Sequence, residues 1–440
     1  MLLGAIADDF TGATDLCSML VRGGMRTVQV IGTPAPDDPV PDADAVVVAI
    51  KSRTAPVAWA VAQSLAALDW LRRAGARQFF FKYCSTFDST EQGNIGPVTD
   101  ALIQALDCGF SLHCPAFPTN GRTLYLGHLF VQGMLLNESG MENHPLTPMT
   151  DPNLVRVLSR QTEGTVGLVP FAIVERGANA IRDAMTRLKE LGRRHAIVDA
   201  VTDAHLIAIG EAARHHALLS GGSGVAMGLP GNFSGARLLP ASENAASLPA
   251  VTGAAAILAG SCSRATLAQL GTARAHLPLY ELDPLATPPG APPDTLPDAA
   301  ALAAAALVWA GNKIGETPVM IAASAPPDRV AAIQAALGGP DKAGALLEDA
   351  MARIATGLVA RGVRRLVVAG GETAGAAVTA LGVKQLRIGG EIDPGVPWTY
   401  ATGEGPDLLL ALKSGNFGAQ DFFLKAFRTR DGQTREGGVR

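Results

Sequence analysis

Short runs of β-branched and aromatic residues alternate with longer helical stretches along most of this chain. The helical candidates 57–74 and 95–106 place apolar residues three and four positions apart, which is the spacing of one helix face. Strands that alternate with helices are typical of a mostly parallel sheet, so the sequence predicts an α/β fold. The predicted strands of the first half are 2–7, 27–31, 45–50, 79–83, 165–170 and 196–199.

The alternation breaks between 221 and 253, where Gly, Ser, Asn and Pro dominate, and it then resumes. A chain of 440 residues is also longer than one hydrophobic core usually grows. We therefore expect two domains, each a mostly parallel sheet flanked by helices, with the active site in the cleft between them. The predicted parts are an N-terminal domain 1–230, a linker 231–253, a C-terminal domain 254–428 and a polar tail 429–440.

Composition argues against several classes of protein. The formal net charge is −4, so the chain has no basic field to hold nucleic acid. The chain contains no run of about 18 uninterrupted apolar residues, so we expect no membrane span. The Met1 start leads directly into a predicted strand, which favours a cytoplasmic protein. The five cysteines lack C-x-x-C spacing, and the histidines lack zinc-site spacing, so we expect no dedicated metal site.

Two carboxylates and a hydroxyl follow the first predicted strand. Asp8 and Asp9 come directly after it, with Thr11 and Gly12 close behind. In an open α/β sheet, ligands bind beyond the carboxyl ends of the strands, so this position favours a ligand site. The alternative is that one of the two carboxylates only caps a helix that begins near Thr11.

A second polar segment, KYCSTFDST, begins at the end of the strand 79–83. The Lys82 ammonium could pair with a ligand carboxylate, and the helix that starts at Asn94 could offer its N-terminal amides to an anion. Asp88 adds a carboxylate, and Arg53, after another strand, could be a second carboxylate clamp. The alternatives are a turn stabilised by its own hydroxyls, and an Arg53 that is simply solvated.

Three glycine-containing turns follow apolar strands of the second half: GSCS at 260–263, GGET at 370–373 and KSGNFG at 413–418. Glycines let backbone amides approach an oxyanion, so three such turns at one sheet edge predict a nucleotide-phosphate site. For a single turn, helix capping by Ser or Thr is the alternative. The chain contains no P-loop and no dinucleotide fingerprint after its first strand. The adjacent acids also lack the D-x-D spacing of aspartyl-phosphate phosphatases.

Taken in order, IADDFTGATD, KYCSTFDST, GNIGPV, GSCS, GGET and KSGNFG resemble the motifs of the four-carbon acid sugar kinases over nearly the whole chain. The stretch KYCSTFDST is similar to the 3-oxo-tetronate kinase branch of that family. The resemblance implies an N-terminal sugar-binding domain, a C-terminal nucleotide-binding domain, and transfer of the ATP γ-phosphoryl group to the C4 hydroxyl of the sugar acid, with Mg²⁺ accompanying the nucleotide.

The resemblance also implies roles for individual residues. Asp8 or Asp9 is the catalytic base or the carboxylate on the Mg²⁺ side. The residues implied in substrate binding are Arg53, Lys82, Asp88 and Asn94. The residues implied in ATP contact are Ser261, Gly370, Gly371, Glu372, Thr373 and Gly415.

Two other functions stay open at this point. One is a kinase of the reduced acids threonate or erythronate, which carry a carbinol instead of a carbonyl at C3. The other is a non-catalytic sensor of a sugar acid or nucleotide, although paired acids at a crevice favour an enzyme. A homo-oligomer is possible.

Overall fold

The computed structural model describes residues 1–428 except 145, 242–243, 288–289, 291, 293–294, 316 and 404. The predicted tail 429–440 lies outside the described residues. The chain divides into two compact units, the first Met1–Ala246 and the second beginning at Ser247.

The first unit contains eleven strands and eight α-helices among its described residues. Their order is β1 (Leu3–Ala7), α1 (Phe10–Arg22), β2 (Thr27–Ile31), β3 (Ala45–Ala49), α2 (Val57–Arg73), β4 (Gln78–Lys82), α3 (Ile95–Ala105), β5 (Ser111–Cys114), β6 (Arg122–Tyr125), β7 (His128–Val131), β8 (Met134–Leu135), α4 (Leu154–Gln161), β9 (Val166–Val169), α5 (Phe171–Val174), α6 (Ala178–Glu190), β10 (His195–Val198), α7 (Asp203–Ala212), β11 (Leu218–Gly221) and α8 (Leu229–Gly235).

Eight strands of this unit pair side by side in the order β2-β3-β1-β4-β11-β5-β10-β9, and every pairing is parallel. The strands β1, β3 and β4 are buried at every position, as expected for a parallel sheet covered on both faces. Helix α2 buries Ala60, Ser64, Ala67 and Leu71, which recur at spacings of four and three and so lie on one face. The prediction of a mostly parallel α/β sheet is confirmed here.

A small antiparallel sheet, β6-β7-β8, also belongs to this unit and was not predicted. Its strands have only two to four residues, and their buried and exposed positions mix. Such short segments carry little periodic signal in a sequence.

The second unit contains seven strands and six α-helices among its described residues. Their order is β12 (Ala254–Ala259), α9 (Arg264–Ala273), β13 (Leu279–Glu281), α10 (Ala299–Gly311), β14 (Val319–Ala322), α11 (Pro327–Leu337), α12 (Pro340–Ala360), β15 (Val363–Ala369), α13 (Gly371–Ala380), β16 (Gln385–Asp393), β17 (Val396–Thr402), β18 (Leu408–Lys413) and α14 (Phe422–Lys425).

The strands of the second unit lie in the order β13-β14-β12-β15-β18-β17-β16. The first five of these pair in parallel, whereas β17 is antiparallel to both β18 and β16. A core that includes Ile257, Met320, Val367, Trp398 and Phe422 packs against this arrangement. The unit is mostly parallel, as predicted, and the antiparallel pair β16–β17 is a departure from that prediction.

The segment predicted as a linker, 231–253, contains ordered structure. Helix α8 crosses the predicted boundary at 230, and the compact units divide after Ala246. The Gly- and Ser-rich sequence of α8 is not typical of a helix, which is why the helix was not predicted. Pro230 lies in its first turn, where proline is well tolerated. No helix in the described part of the chain is long and apolar enough to cross a membrane.

Candidate functional site

Three neighbouring strands of the first unit deliver the predicted polar residues to one edge of the sheet. Strand β1 lies between β3 and β4, and all three run in the same direction. Asp8 and Asp9 follow β1, Arg53 follows β3, and Lys82 is the last residue of β4. Their proximity therefore follows from the strand order, which the sequence alone did not give.

Arg53 is surrounded by carboxylates of the protein itself. Its Nε and Nη2 donate to the two oxygens of Asp8 at 2.9 and 2.8 Å. The same Nη2 donates to Asp9 Oδ1 at 2.9 Å, and Nη1 lies 3.5 Å from Asp88 Oδ2. Bidentate pairing of this kind fixes the guanidinium in position. Arg53 is thus only 23% exposed, and it is paired with three carboxylates of the protein itself.

The pKa values of the two adjacent acids are shifted in opposite directions. Burial raises the pKa of Asp8, although the Arg53 guanidinium opposes that shift. Burial also acts to raise the pKa of Asp9, but the charges of Arg53 and Lys82 outweigh it, helped by hydrogen bonds from Thr11 and Gly12. The pKa of Asp9 therefore lies below its usual value, so its carboxylate is ionised at neutral pH.

Asp9 is also the N-cap of α1. Its Oδ1 accepts from the Gly12 amide at 3.1 Å, and its Oδ2 accepts from Thr11 Oγ1 at 2.9 Å. The capping alternative thus applies to Asp9 and not to Asp8. The Asp9 side chain nevertheless remains 26% exposed, against 4% for Asp8, so Asp9 is the carboxylate that a ligand can reach.

Lys82 is buried, and its Nζ donates to the Tyr83 carbonyl at 2.7 Å. A methyl group added at Gly12 would lie 3.0 Å from this Nζ and 2.1 Å from Asp9 Oδ1. Gly12 therefore leaves room for both the Lys82 ammonium and the Asp9 carboxylate beside the first turn of α1. This arrangement can pair with a ligand carboxylate while it accepts a proton from a hydroxyl.

The hydroxyls of the segment 84–90 serve the protein more than a ligand. Thr86 Oγ1 donates to Asp88 Oδ1 at 2.7 Å, and Ser89 Oγ accepts from Gln161 Nε2 at 2.9 Å. Phe87 and Asp88 both adopt positive φ, of 66° and 46°, which is strained for residues with side chains. This self-bonded turn fixes Asp88 beside Arg53. Burial raises the pKa of Cys84 to about 12, so its thiol is not a nucleophile at neutral pH.

Asn94 lies at the start of α3, but its side chain turns towards the loop after β3. Its Nδ2 donates to the carbonyls of Ser52, Arg53 and Ala55 at 2.7, 3.2 and 2.9 Å. Its Oδ1 is buried and has no partner among the described residues. A small cavity with about 10 Å³ of water-accessible space adjoins Asn94, Asp8 and Arg53.

The anion site predicted at the N-terminus of α3 is corrected by the structure. The Gly96 amide donates to Gln161 Oε1 at 2.9 Å, and a methyl group at Gly96 would lie 2.6 Å from Gln161 atoms. The side-chain carbonyl of Gln161 therefore occupies the position that an anion would need. Gln161 lies on α4, far away in the sequence, and nothing in the sequence pattern pointed to it.

The three predicted nucleotide loops lie together at the corresponding edge of the second unit. They follow β12, β15 and β18, which are adjacent and parallel. A methyl group at Gly260 would lie 2.0 Å from Thr373 Oγ1, and one at Gly415 would lie 2.3 Å from Ser261 Oγ. The predicted set Ser261, Gly370, Gly371, Glu372, Thr373 and Gly415 thus lies on these three adjacent loops and in the first turn of α13.

Glycine is required at two of these positions for different reasons. Gly370 has φ of +123°, a backbone conformation that side chains rarely adopt. Gly260 is required because any side chain would meet Thr373. Helix α13 begins after Gly370 with no side-chain cap, whereas α9 is capped by Ser263, which accepts from the Thr266 amide. The uncapped start of α13 is the helix end that suits an anion.

Lys413, at the end of β18, belongs to this site but was not predicted as a functional residue. Its side chain is fully buried, and its Nζ donates to Thr266 Oγ1 and to the carbonyls of Ser414, Gly415 and Phe417 at 2.9–3.1 Å. Its place at a strand end within KSGNFG was the available sequence signal. Among the described residues, no group of three or more His, Cys, Asp or Glu side chains could hold a metal ion.

Comparison with known proteins matches both units to family models. Residues 3–229 match the model of the sugar-binding N-terminal domain, and residues 256–423 match that of the nucleotide-binding C-terminal domain. The chain is 59% identical over 431 residues to a 3-oxo-tetronate kinase from Burkholderia multivorans, covering 98% of each chain. It is 57% identical over 435 residues to a 3-oxo-tetronate kinase from Cupriavidus necator, again covering 98% of each.

Two solved structures are similar over nearly the whole length. A Salmonella typhimurium LT2 protein, which bears the name of a tRNA synthase, has a TM-score of 0.85 and 43% identity, covering 97% of this chain and 98% of that one. A Haemophilus influenzae protein, assigned to the family model DUF1537, has a TM-score of 0.77 and 42% identity, covering 96% and 98%.

Proposed function

The chain belongs to the four-carbon acid sugar kinase family, and we infer from this membership and from the site geometry that it is an ATP-dependent 3-oxo-tetronate kinase. We propose that it phosphorylates the C4 hydroxyl of the 3-oxo acid to give the 4-phosphate. The observation that carries this proposal is the partly exposed Asp9 carboxylate of lowered pKa, which lies with the Lys82 ammonium beside Gly12.

That pair of charges supplies what the two functional groups of an acidic sugar need. The Lys82 ammonium supplies a cation for the substrate carboxylate. The Asp9 carboxylate can accept the proton that the attacking hydroxyl loses. In-line phosphoryl transfer depends mainly on positioning and charge neutralisation, so a carboxylate with a low pKa suffices as the proton acceptor.

We assign different roles to the two acids within this proposal. Asp9 is the proton acceptor because it is the more exposed of the two, and reach comes before pKa in choosing a base. Asp8 is the positioning residue that holds Arg53 through both of its oxygens. Arg53 and Asp88 then form the rigid side of the substrate site.

Asn94 contributes a hydrogen-bond acceptor in the proposed site. Its amide orientation is fixed because Nδ2 donates to three carbonyls, which leaves Oδ1 as the free acceptor. A buried acceptor without a partner is costly unless a ligand or water satisfies it. We propose that a substrate hydroxyl, or a water that the substrate contacts, donates to Asn94 Oδ1.

Bound ATP supplies the phosphoryl group, and the loops after β12, β15 and β18 fit its phosphates. The fit rests on the close approach of Gly260, Gly370 and Gly415 to their neighbours and on the uncapped start of α13. Mg²⁺ is proposed as the companion of the nucleotide, since this ion is commonly held by phosphates and one or two carboxylates.

The arrangement of the active site in a cleft between the domains stays a proposal, as do the domain limits 1–230 and 254–428. Cytoplasmic location, a homo-oligomeric state and the absence of nucleic acid or membrane partners are proposed on the same footing. The negative net charge of −4 supports the last of these.

The position of phosphorylation is tested by ³¹P NMR of the product. A phosphate at C4 of a 3-oxo-tetronate is attached to a CH₂ group, so its resonance should be a triplet from two protons. Phosphorylation at C2 would give a doublet instead, and this outcome would contradict the proposed chemistry.

The sensor alternative predicts binding without turnover. Wild-type protein that binds the 3-oxo acid and Mg-ATP in calorimetry, but releases no ADP when both are present, would overturn the kinase proposal. We expect ADP release that depends on the sugar acid.

A further inference from the structure

Lys413 is a buried cation in a protein environment that offers it no anion. Its side chain is completely buried, and no carboxylate among the described residues lies within 4 Å of its Nζ. Burying an unpaired ammonium is unfavourable. Accordingly, burial lowers the pKa of Lys413 to about 7.

Three carbonyl groups of the loop that follows Lys413 face its ammonium. Those of Ser414, Gly415 and Phe417 accept from the Lys413 Nζ. Gly415 O also accepts from Ser263 Oγ and Thr266 Oγ1, at 2.7 and 2.9 Å.

Gln269 Nε2 holds the rest of the same loop. It donates to the carbonyls of Phe417, Gly418 and Ala419 at 2.9–3.1 Å. Neutral side chains on α9 and at its N-cap therefore hydrogen-bond to the carbonyls of this loop. The charged Lys413 at the end of β18 does the same.

Several backbone N–H groups of this loop are available to a ligand. Phe417 donates to Ser414 O, and Ala419 donates to Asp393 Oδ2. The amides of Gly415, Asn416 and Gly418 have no acceptor among the described residues, and all three residues are at least partly exposed. A loop with carbonyls inside and free amides outside is suited to an anion.

We propose that Lys413 is a positioning residue for the nucleotide phosphates: its ammonium draws the loop carbonyls inwards, turns the amides outwards, and is itself stabilised when a phosphate binds there. This inference rests on the proposed nucleotide site and deepens it. It makes Lys413 a proton-binding group that is coupled to nucleotide binding, because an added anion favours the charged form of a nearby amine.

Other titratable groups lie on the elements next to the loop that follows Lys413. They are Cys262 on the loop after β12, Arg264 on α9, Glu372 on α13, Asp393 on β16, Asp421 before α14 and Lys425 on α14. Asp393 is engaged by Lys425 and the Ala419 amide. These groups must therefore stay unchanged in the Lys413 variants, so that a difference in proton uptake can be assigned to Lys413.

The experiment is a calorimetric titration of the full chain with Mg-ADP at pH 6, 7 and 8, in two buffers of different ionisation enthalpy. The heat difference gives the protons taken up per nucleotide bound. From a free-protein pKa of about 7, and a bound form that stays protonated, Lys413 should take up about 0.1, 0.5 and 0.9 protons at these three pH values.

Lys413→Met removes the charge with little change in side-chain length. We expect it to weaken Mg-ADP binding about tenfold or more at pH 7 and to abolish the pH-dependent proton uptake. Gln269→Met is the matched control, because it loosens the same loop without touching the titrating group. It should weaken binding but keep the wild-type proton uptake.

Lys413→Arg is a second variant in case Lys413→Met does not fold. Arginine stays charged at every pH used, so this variant should bind Mg-ADP without taking up a proton. Equal proton uptake by wild type and either Lys413 variant would overturn the inference, as would Mg-ADP binding by Lys413→Met that matches wild type. Failure of the wild type itself to bind Mg-ADP would instead overturn the proposed nucleotide site.

Discussion

Asp9 combines two functions that its sequence position presents as alternatives. Its carboxylate caps α1 through Gly12 and Thr11, and it remains partly exposed beside Lys82. The cap and its charged neighbours lower its pKa, which keeps it ionised. A capping carboxylate can therefore also be the proton acceptor.

Asp9→Asn separates these two functions. Asparagine caps helices about as well as aspartate, so any fall in the free energy of unfolding should come from the lost charge beside Arg53 and Lys82 and not from the cap. Turnover should fall by about 10²–10⁴-fold, because the amide cannot accept the substrate proton. Steady-state ADP release together with chemical denaturation checks both expectations. A variant with normal stability and normal turnover would exclude Asp9 as the base.

Asp8→Asn is the matched comparison for the neighbouring acid. It removes one charge from the bidentate pair with Arg53, so we expect weaker binding of the sugar acid as well as slower turnover. Separate measurement of KM and kcat for the two variants decides which acid is the proton acceptor. An Asp8→Asn variant that loses only kcat, beside an Asp9→Asn variant with wild-type kcat, would reverse the two roles.

Lys413 also makes stability depend on pH. Its pKa is about 7 in the folded chain and 10.5 as an ordinary lysine, so the unfolded chain binds more protons between these values. Stability should therefore rise with pH from 7 to about 10 by at most about 5 kcal/mol relative to Lys413→Met. Denaturation of both proteins across this range measures the difference. A parallel pH dependence in the two proteins would contradict the burial argument.

The sequence placed the candidate site residues after strands but could not say what each of them contacts. Asp8 and Arg53 form an ion pair because they follow adjacent parallel strands. Asn94 was expected to open an anion-binding helix, yet Gln161 fills that end of α3. Contacts between residues 65 positions apart leave no trace in local sequence patterns, so this error could not have been avoided from the sequence.

At the scale of elements, the close contact between the loops after β12 and β15 is the most restrictive feature of the nucleotide site. Gly260→Ala would place a methyl group 2.0 Å from Thr373 Oγ1, so one of the two loops must move. We expect nucleotide binding to weaken by about tenfold or more, with a stability loss of about 1–3 kcal/mol. Calorimetry with Mg-ADP and denaturation provide the two numbers.

Gly271→Ala on α9 is the control for that substitution. A methyl group at Gly271 would have no atom within 4 Å, and the residue lies inside a helix. Alanine should stabilise the helix by about 0.5–1 kcal/mol and leave nucleotide binding unchanged. Equal nucleotide affinities for the two alanine variants would show that the loop contact is unimportant.

The strands that carry the site were predicted to within one or two residues. Strand β4 was expected at 79–83 and is Gln78–Lys82, and β3 was expected at 45–50 and is Ala45–Ala49. Fully buried parallel strands read as continuous apolar runs, which explains this success. The pair β16–β17 was missed because its register shifts between Ile388 and Asp393 interrupt any simple alternation.

At the scale of the whole molecule, the two proposed binding functions lie on different compact units. Asp9→Asn should therefore leave Mg-ADP affinity within about twofold of wild type, and Gly260→Ala should do the same for the sugar acid. Calorimetry of each variant with each ligand alone tests this separation. A large effect of either variant on the other ligand would mean that the sites are coupled even without the second ligand.

The sequence predicted the α/β class and the succession of two domains, and the family models agree with that succession. It did not predict strand order, because spatial order depends on packing between distant segments. Strand order is what turns separate motifs into two contiguous sites, so the chemistry of each site became interpretable only with the fold.

The central claim is that this chain phosphorylates a 3-oxo-tetronate, and ADP release by the purified protein tests it most directly. The assay contains Mg-ATP with a 3-dehydro-tetronate, D-threonate, L-threonate, D-erythronate or no sugar acid. We predict turnover with the 3-oxo acid and little with the reduced acids. Faster turnover with threonate or erythronate would contradict the 3-oxo assignment, and no turnover with any of these acids would contradict the kinase assignment itself.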